Sequence, residues 1–301
     1  MKKEIPFTCA GETLKAWFFL PEEERAPAPC IVMAHGFGGT KTAGLEPYAE
    51  HFQQAGFAVL VFDYRHFGDS QGEPRQLLSI RRQLEDWRAA VSFVRMIPEI
   101  DSKRIALWGT SFSGGHVVVV AAQDKDIACI SAQCPMMDGL AATSSALRTG
   151  GVFNSLRMIG HGLRDQVGAW IGLKPHMMSI VGPPGSIAAM TTPDAYEGYK
   201  ALVPEDFPNE VCARIGLQVG SYRPIKHARK VRCPALIQIC EKDSVAPIEV
   251  AEKTASAIGP LAEVKRYPIG HFDIYQNDDF KQSVVDQTDF FKRHLSDLRF
   301  R

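Results

Sequence analysis

Hydrophobic residues along the chain follow two alternating patterns. Short apolar runs predict strands, and segments whose apolar residues recur at three- and four-residue steps predict amphipathic helices. Strands are predicted at 4–9, 13–20, 30–35, 57–63, 104–108, 127–133, 235–240 and 262–268. Helices are predicted at 46–55, 76–97, 114–123, 247–257 and 279–295. The first two strands predict a hairpin, and the later alternation favours an α/β protein with a mostly parallel sheet covered on both faces.

Residues 136–231 interrupt this alternation. They are rich in Gly, Ser, Thr and Pro, and they contain six of the nine methionines: Met136, Met137, Met158, Met177, Met178 and Met190. We interpret this segment as a mainly helical cap inserted into a core formed by 1–135 and 232–301. The methionines predict either an adaptable apolar lining for a pocket or filling between cap helices.

Composition restricts the class of protein and of partner. The 301 residues are 45% hydrophobic and 23% charged, as expected for a soluble globular protein with one large domain or one domain with an insertion. There are 34 basic and 34 acidic residues, so the net charge is zero. This balance argues against nucleic acid and anionic membranes as partners and favours an uncharged small molecule.

The cysteines and the N-terminus indicate a compartment. Seven cysteines are scattered along the chain without a C-x-x-C pair, which is atypical of a disulfide framework or a zinc site. No apolar stretch has the length of a signal peptide or of a membrane helix. We therefore expect a cytoplasmic protein without a membrane partner.

A serine follows a buried strand in the segment 104–115. The sequence Gly-Thr-Ser-Phe-Ser-Gly-Gly has the small residues that a sharp strand-to-helix turn requires, with Ser111 exposed as a nucleophile. The usual pattern is G-x-S-x-G, but Ser113 occupies the last position, so an alternative frame makes Ser113 the nucleophile. We favour Ser111 because Gly109 directly follows the strand. The remaining interpretation is a small-residue turn without catalysis.

Two further strand ends carry the partners that a nucleophilic serine needs. Asp243 follows strand 235–240, and His271 follows strand 262–268. The order Ser111, Asp243, His271 is the one in which α/β-hydrolases carry their triad, with the acid fixing the histidine tautomer. Asp243 would otherwise be an acid near a helix N-terminus. Glu241 is the weaker alternative because it lies closer to the strand end.

A glycine-rich turn, His35-Gly36-Phe37-Gly38-Gly39, ends strand 30–35. We expect the backbone N–H groups of Phe37 and Phe112 to form an oxyanion hole, the latter being the residue after the nucleophile. The alternative is an ordinary turn at a strand exit. His35 is expected to be structural.

Together these motifs resemble those of α/β-hydrolases, and residues 62–72 resemble the loop after the fourth strand of that fold. More narrowly, the chain is similar to the dienelactone-hydrolase-like and X-prolyl-peptidase/cocaine-esterase-like branch. The strand-to-helix turn around Ser111, the nucleophile elbow, is similar to that of fungal polyketide transferases and thiohydrolases. The resemblance covers 1–135 and 232–301, and it implies an eight-stranded sheet with an inserted helical cap. In some relatives a tyrosine hydroxyl helps to bind the oxyanion, which would here be Tyr64. Relatives often form homodimers, so a homodimer is also expected.

The function that follows is cleavage of a carboxylic ester through an acyl-enzyme, on a small acyl substrate and without a metal or organic cofactor. The first alternative is a thioesterase or acyltransferase acting on a CoA- or carrier-linked acyl chain. A basic patch in the cap would favour it, and four residues supply candidate charges: Arg148, Arg157, Arg164 and Lys174. The second alternative is a non-catalytic binding protein with a hydrolase fold.

Overall fold

A twisted eight-stranded sheet forms the centre of the computed structural model, which describes residues 2–21 and 27–295. The strands of the chain are β1 (Lys2–Cys9), β2 (Glu12–Phe19), β3 (Ala28–Ala34), β4 (Ala58–Phe62), β5 (Ile100–Thr110), β6 (Cys129–Gln133), β7 (Met177–Val181), β8 (Ala188–Met190), β9 (Val211–Cys212), β10 (Ala235–Cys240) and β11 (Ala262–Tyr267). The large sheet has the order β1-β2-β4-β3-β5-β6-β10-β11. Its first two pairings are antiparallel and the others parallel. The predicted α/β-hydrolase fold class is therefore confirmed.

Seven helices accompany the strands in the described residues: α1 (Glu46–Gln54), α2 (Ile80–Val94), α3 (Phe112–Ala121), α4 (Gly139–Trp170), α5 (Ala195–Lys200), α6 (Ile248–Ile258) and α7 (Asn277–Leu295). Helix α2 is shorter than the predicted 76–97, because Ser79 is extended and Gln76 has a positive φ. Strand β5 is longer than predicted and ends at Thr110, and α3 begins at Phe112, two residues earlier than expected, so that Ser111 alone separates them.

Apolar side chains cover both faces of the sheet. One layer contains Tyr48 and Phe52 of α1 together with Phe290 and Phe291 of α7. The other layer contains Trp87 of α2 and all of α3, including the valine run 117–120. Valine is a poor helix former, so α3 is stabilised by its packing and not by its propensity. The helix that follows Ser111 is thus held firmly in the interior.

Between β6 and β10 the chain forms α4, α5, the small sheet β8-β7-β9 and short 3-10 turns at 213–217, 219–221 and 224–230. Helix α4 is interrupted at Gly151, whose φ of 78° and ψ of 165° are not helical. The small sheet was not expected from the sequence, because its strands are short and pair across loops. No helix within 2–21 or 27–295 has both the length and the apolar character that crossing a membrane requires.

Candidate active site

The turn between β5 and α3 holds Ser111 in a strained conformation. Its φ of 53° and ψ of −116° lie in a region that residues other than glycine rarely adopt. A Cβ atom at Gly109 would lie 2.3 Å from the carbonyl oxygen of Ser113, so only glycine fits there. The small residues predicted around the serine are thus required by the tightness of the turn.

Three strand ends bring Ser111, His271 and Asp243 together. His271 Nε2 lies 3.1 Å from Ser111 Oγ, and His271 Nδ1 lies 2.6 Å from Asp243 Oδ2. The histidine is only 2% exposed, which keeps bulk water from competing for these hydrogen bonds. The arrangement can transfer a proton from the hydroxyl to the imidazole while the carboxylate stabilises the imidazolium that forms.

Asp243 also caps the turn that follows β10. Its Oδ1 accepts hydrogen bonds from the backbone N–H groups of Val245 and Ala246, at 2.8 and 2.7 Å. Asp243 therefore fits both of its predicted roles. One carboxylate oxygen caps the turn before a helix, and the other faces His271. Glu241, the weaker alternative, is exposed, so it does not share this buried environment.

Burial and charge act in opposite directions on His271. Burial lowers the pKa of the imidazole, but the neighbouring Asp243 carboxylate and the Cys134 sulfur raise it, so that the pKa lies well above 6.5. The carboxylate is the cause we regard as decisive, because the hydrogen bond between the two side chains is short and buried. His271 is therefore a stronger base than an isolated histidine.

Ser113 lies beneath the turn and not in the site. It is fully buried, and its Oγ is 2.9 Å from the hydroxyl of Tyr64. Trp87 Nε1 donates to the same tyrosine hydroxyl at 2.8 Å. Because Ser113 and Tyr64 are bonded to each other in the interior, the geometry favours neither the alternative frame at Ser113 nor an oxyanion role for Tyr64.

The glycine-rich turn after β3 lies against the serine. A Cβ atom on Gly36 would be 3.1 Å from Ser111 Cβ, so glycine allows the backbone to approach this closely. The Phe37 and Phe112 rings are in edge-to-face contact, 5.5 Å between centroids. The two residues predicted to donate to an oxyanion are thus neighbours. His35 is buried, and burial lowers its pKa to about 4, which keeps it neutral.

Two contacts that support this turn could not be identified from the sequence. The hydroxyl of Tyr199, in α5, donates to the carbonyl oxygen of Phe37 at 3.1 Å. Lys41 is buried and donates to Asp63 from both its backbone N–H and its Nζ, at 2.6 and 2.8 Å. A tyrosine more than 160 positions away and a lysine in a polar loop carry no local signal of these roles.

A small cavity of about 30 Å³ lies beside Ser111 and His271. Its walls are almost entirely apolar or aromatic, which suits an acyl group. Four of the lining residues come from the segment predicted to be a cap: Met190, Tyr199, Leu202 and Val203. Met190 is the one methionine among the lining residues in the described part of the chain. The other five of the segment's six methionines lie elsewhere, as expected if most fill contacts within the fold.

Comparison with known proteins agrees with the fold. The chain is 43% identical over 292 residues to the quorum-quenching protein AidA of Acinetobacter baumannii (strain MDR-ZJ06), covering 96% of this chain and 94% of that protein. It is 27% identical to a thiohydrolase of Eupenicillium brefeldianum, covering 95% and 92% of the two chains. The crystal structure of the α/β hydrolase GrgF from Penicillium sp. sh18 superposes with a TM-score of 0.82 at 26% identity, covering 98% and 99%.

One family model matches residues 10–168, which include the glycine-rich turn and the serine elbow. Its description is X-Pro dipeptidyl-peptidase (S15 family). The match spans more than half of the chain, and the similarity to AidA extends over nearly all of it. The chain therefore belongs to the X-Pro dipeptidyl-peptidase (S15) family of α/β-hydrolases.

Proposed function

We propose that the chain is a serine hydrolase that cleaves a carboxylic ester of a small acyl compound. The observation that carries the proposal is the continuous hydrogen-bonded chain from Ser111 through His271 to Asp243, at 3.1 and 2.6 Å, beside an apolar cavity. Ser111 is the nucleophile, His271 the general base and Asp243 the group that orients the base. None of these steps requires a metal or an organic cofactor.

The reaction proceeds in two halves. His271 accepts the proton of Ser111 as Oγ attacks the acyl carbon, and it then donates that proton to the departing alcohol. Water enters next, loses a proton to His271 and attacks the acyl-enzyme. Collapse of the second tetrahedral intermediate releases the carboxylic acid, and the proton on His271 returns to Ser111.

The backbone N–H groups of Phe37 and Phe112 are the proposed oxyanion donors. Phe112 is the first residue of α3, so its N–H lies at a helix N-terminus, where the field favours negative charge. Tyr199 donates to the carbonyl of Phe37, which belongs to the peptide unit that follows the proposed donor N–H, and so restrains the turn directly beside that donor. Loss of one such donor typically slows an enzyme about 100–1000-fold.

Residues 136–231 act, in this proposal, as a cap over a hydrolase core formed by 1–135 and 232–301. The support is that this segment supplies Met190, Tyr199, Leu202 and Val203 to the wall of the cavity. The cavity holds only about two water molecules in its present shape. A longer acyl chain would therefore require the cap residues to move.

The substrate class follows from the surroundings of the site. The cavity wall carries no lysine or arginine in the described residues, and the chain has no net charge. We propose an uncharged acyl substrate, no nucleic acid partner and, because all seven cysteines are free and buried, a cytoplasmic location.

Hydrolysis of p-nitrophenyl esters from acetate to decanoate tests the proposal. Ser111→Ala should abolish turnover, whereas Ser113→Ala, a matched control in the same turn, should retain it. A fluorophosphonate probe should label the wild type and Ser113→Ala but not Ser111→Ala. Absence of both turnover and labelling in the wild type would instead support a binding protein with a hydrolase fold.

A second candidate is cleavage or transfer of a thioester-linked acyl group. It is favoured by relatives named as a thiohydrolase and as a polyketide transferase, the latter from Penicillium sp and 29% identical to this chain. Both reactions form the same acyl-enzyme and differ in the leaving group and in the acceptor. A higher kcat/KM for acyl-CoA than for the matched p-nitrophenyl ester would favour this candidate.

A further inference from the structure

Helix α4 carries a continuous apolar stripe on its outer face. After the interruption at Gly151, large apolar residues recur at three- and four-residue steps, which places them on one side of the helix. Six of them define the stripe: Phe153, Leu156, Ile159, Leu163, Val167 and Trp170. Phe153 and Trp170, near its two ends, are each 76% exposed. Such a run of solvent-exposed side chains is uncommon on a soluble monomer.

The opposite face of α4 is already used for packing. A Cβ atom on Gly162 would lie 2.9 Å from the Leu217 side chain, so the helix contacts the turn 213–217 closely there. Asp165 on the same face is buried and bonded to Arg214. The exposed stripe is therefore not the inward face of a displaced helix. It is a second apolar face without a partner in the described chain.

The size of the stripe matches half of a stable dimer interface. From the exposed fractions and ordinary side-chain sizes, its six residues present roughly 700 Å² of apolar surface. Stable protein–protein interfaces bury about 800 Å² on each partner, and the largest patch on a typical monomer covers only about 300–600 Å². Paired with itself, the stripe is of the size that a specific interface requires.

The shape and charge of the stripe favour a second copy over a lipid surface. Gly160 lies midway along the length of the stripe, on its edge toward Arg157 and Arg164, with open space around the Cα, so two helices could cross there at close distance. Arg157 and Arg164 flank one side only, where a dimer would keep them at the solvated rim. A helix that lies on membranes carries a strongly charged face opposite its apolar one, but here that face is buried.

We propose that two copies of the chain associate through the stripe, with their α4 helices antiparallel about a twofold axis near Gly160. A twofold axis places the same patch of each copy against the other, so an apolar stripe on a straight helix is complementary to itself. The interface lies on the side of α4 opposite its packing against 213–217. It does not depend on the proposed catalytic role of Ser111.

Sedimentation velocity of the full chain at about 50 µM tests this. We expect twice the 33.2 kDa mass of one chain, and 33.2 kDa for the double variant Leu156→Glu, Leu163→Glu. Met96→Glu is the control, since Met96 is 74% exposed but lies outside the stripe. A wild type at 33.2 kDa, or a double variant that remains dimeric, would overturn the proposal.

A cross-link gives a test that does not depend on charged variants. The seven native cysteines are buried, and a Cβ atom at Gly160 meets nothing within 4 Å. Gly160→Cys should form a reducible covalent dimer under mild oxidation, whereas Met96→Cys should not. Failure of Gly160→Cys to cross-link would exclude the proposed axis. A monomer that sediments with phosphatidylglycerol vesicles would show that the stripe binds lipid instead.

Discussion

The two halves of the candidate site are built differently. The chemical half comes from the ends of β5, β10 and β11: Ser111 and Asp243 follow strand ends that are buried, and His271 follows the edge strand β11, which is mostly half-buried or exposed. The other half comes from residues 188–203, a short strand and a short helix joined by loops. In the proposed function, reactivity depends on the strand ends of the large sheet, while substrate choice depends on the less regular residues of the proposed cap.

The largest effect is expected from a change in the chemical half of the site. Ser111→Ala removes the attacking atom, so kcat for ester hydrolysis should fall at least about 10,000-fold. Ser113→Ala removes only the buried hydrogen bond to Tyr64, and kcat should stay within about tenfold of wild type. Equal loss in both variants would contradict the division of roles between the two serines.

Asp243→Asn should have the next largest effect. The asparagine oxygen can still accept from Val245 and Ala246, which directs its NH₂ group toward His271 Nδ1. This favours the tautomer of His271 that carries its proton on Nε2, which cannot accept the proton of Ser111. We expect a loss in kcat on the order of 10,000-fold or somewhat less. Circular dichroism should show an unchanged fold, because the turn keeps its hydrogen bonds.

The pH profile separates the charge of Asp243 from its geometry. Catalysis needs neutral His271, so kcat/KM rises with pH through the pKa of this group. Since Asp243 holds that pKa well above 6.5, activity should fall as the pH drops through a value above 6.5. In Asp243→Asn the residual activity should fall only at lower pH, because the Cys134 sulfur alone then opposes the effect of burial on the pKa of His271. If the acid limb of the kcat/KM profile lay at the same pH in Asp243→Asn as in the wild type, Asp243 would not be the group that raises the pKa of His271.

A smaller effect is expected at the hydrogen bond between Tyr199 of the proposed cap and Phe37 of the glycine-rich turn. Tyr199→Phe removes the hydrogen bond to the Phe37 carbonyl, so kcat should fall about tenfold while KM changes little. Tyr196→Phe, in the same helix α5, is the matched control and should leave kcat unchanged. A change confined to KM would assign Tyr199 to substrate binding and not to positioning.

The smallest effect is expected from the cap alone. Leu202→Ala should enlarge the cavity, so the kcat/KM ratio of p-nitrophenyl hexanoate to acetate should rise by roughly threefold to tenfold. The rate on acetate should be nearly unchanged. Leu261→Ala, at a partly exposed position away from the cavity, is the control and should leave the ratio as it is.

The contrast between the strand ends of the large sheet and residues 188–203 also explains which parts of the site could be predicted from the sequence. Parallel strands end at one edge of a sheet, so residues that follow β5, β10 and β11 had to lie near one another. Strand positions could be read because their apolar runs are strong and local. Ser111, Asp243 and His271 were therefore placed together from sequence patterns, and the structure brings them within hydrogen-bonding distance.

The cap and its contacts could not be predicted in the same way. Strands β7, β8 and β9 are five residues or shorter, and their pairing depends on contacts between distant loops. Hydrophobic periodicity reports which face of an element is buried, but not which loop covers it. The bond from Tyr199 to Phe37 is of this kind, and so is the burial of Lys41.

Lys41 and Asp63 restrict how the glycine-rich turn after β3 can change during evolution. Both side chains are almost completely buried and face each other at 2.8 Å. Removal of Lys41 would leave the buried Asp63 carboxylate without its cation, at a cost of about 3–5 kcal/mol, and removal of Asp63 would leave the buried Lys41 ammonium with only the exposed carboxylate of Asp69 as a charged partner. Replacement of both by apolar residues of similar volume would avoid that cost. The two positions should therefore be epistatic: a mutational path that alters one first passes through a destabilised intermediate, and the pair is inherited as a unit.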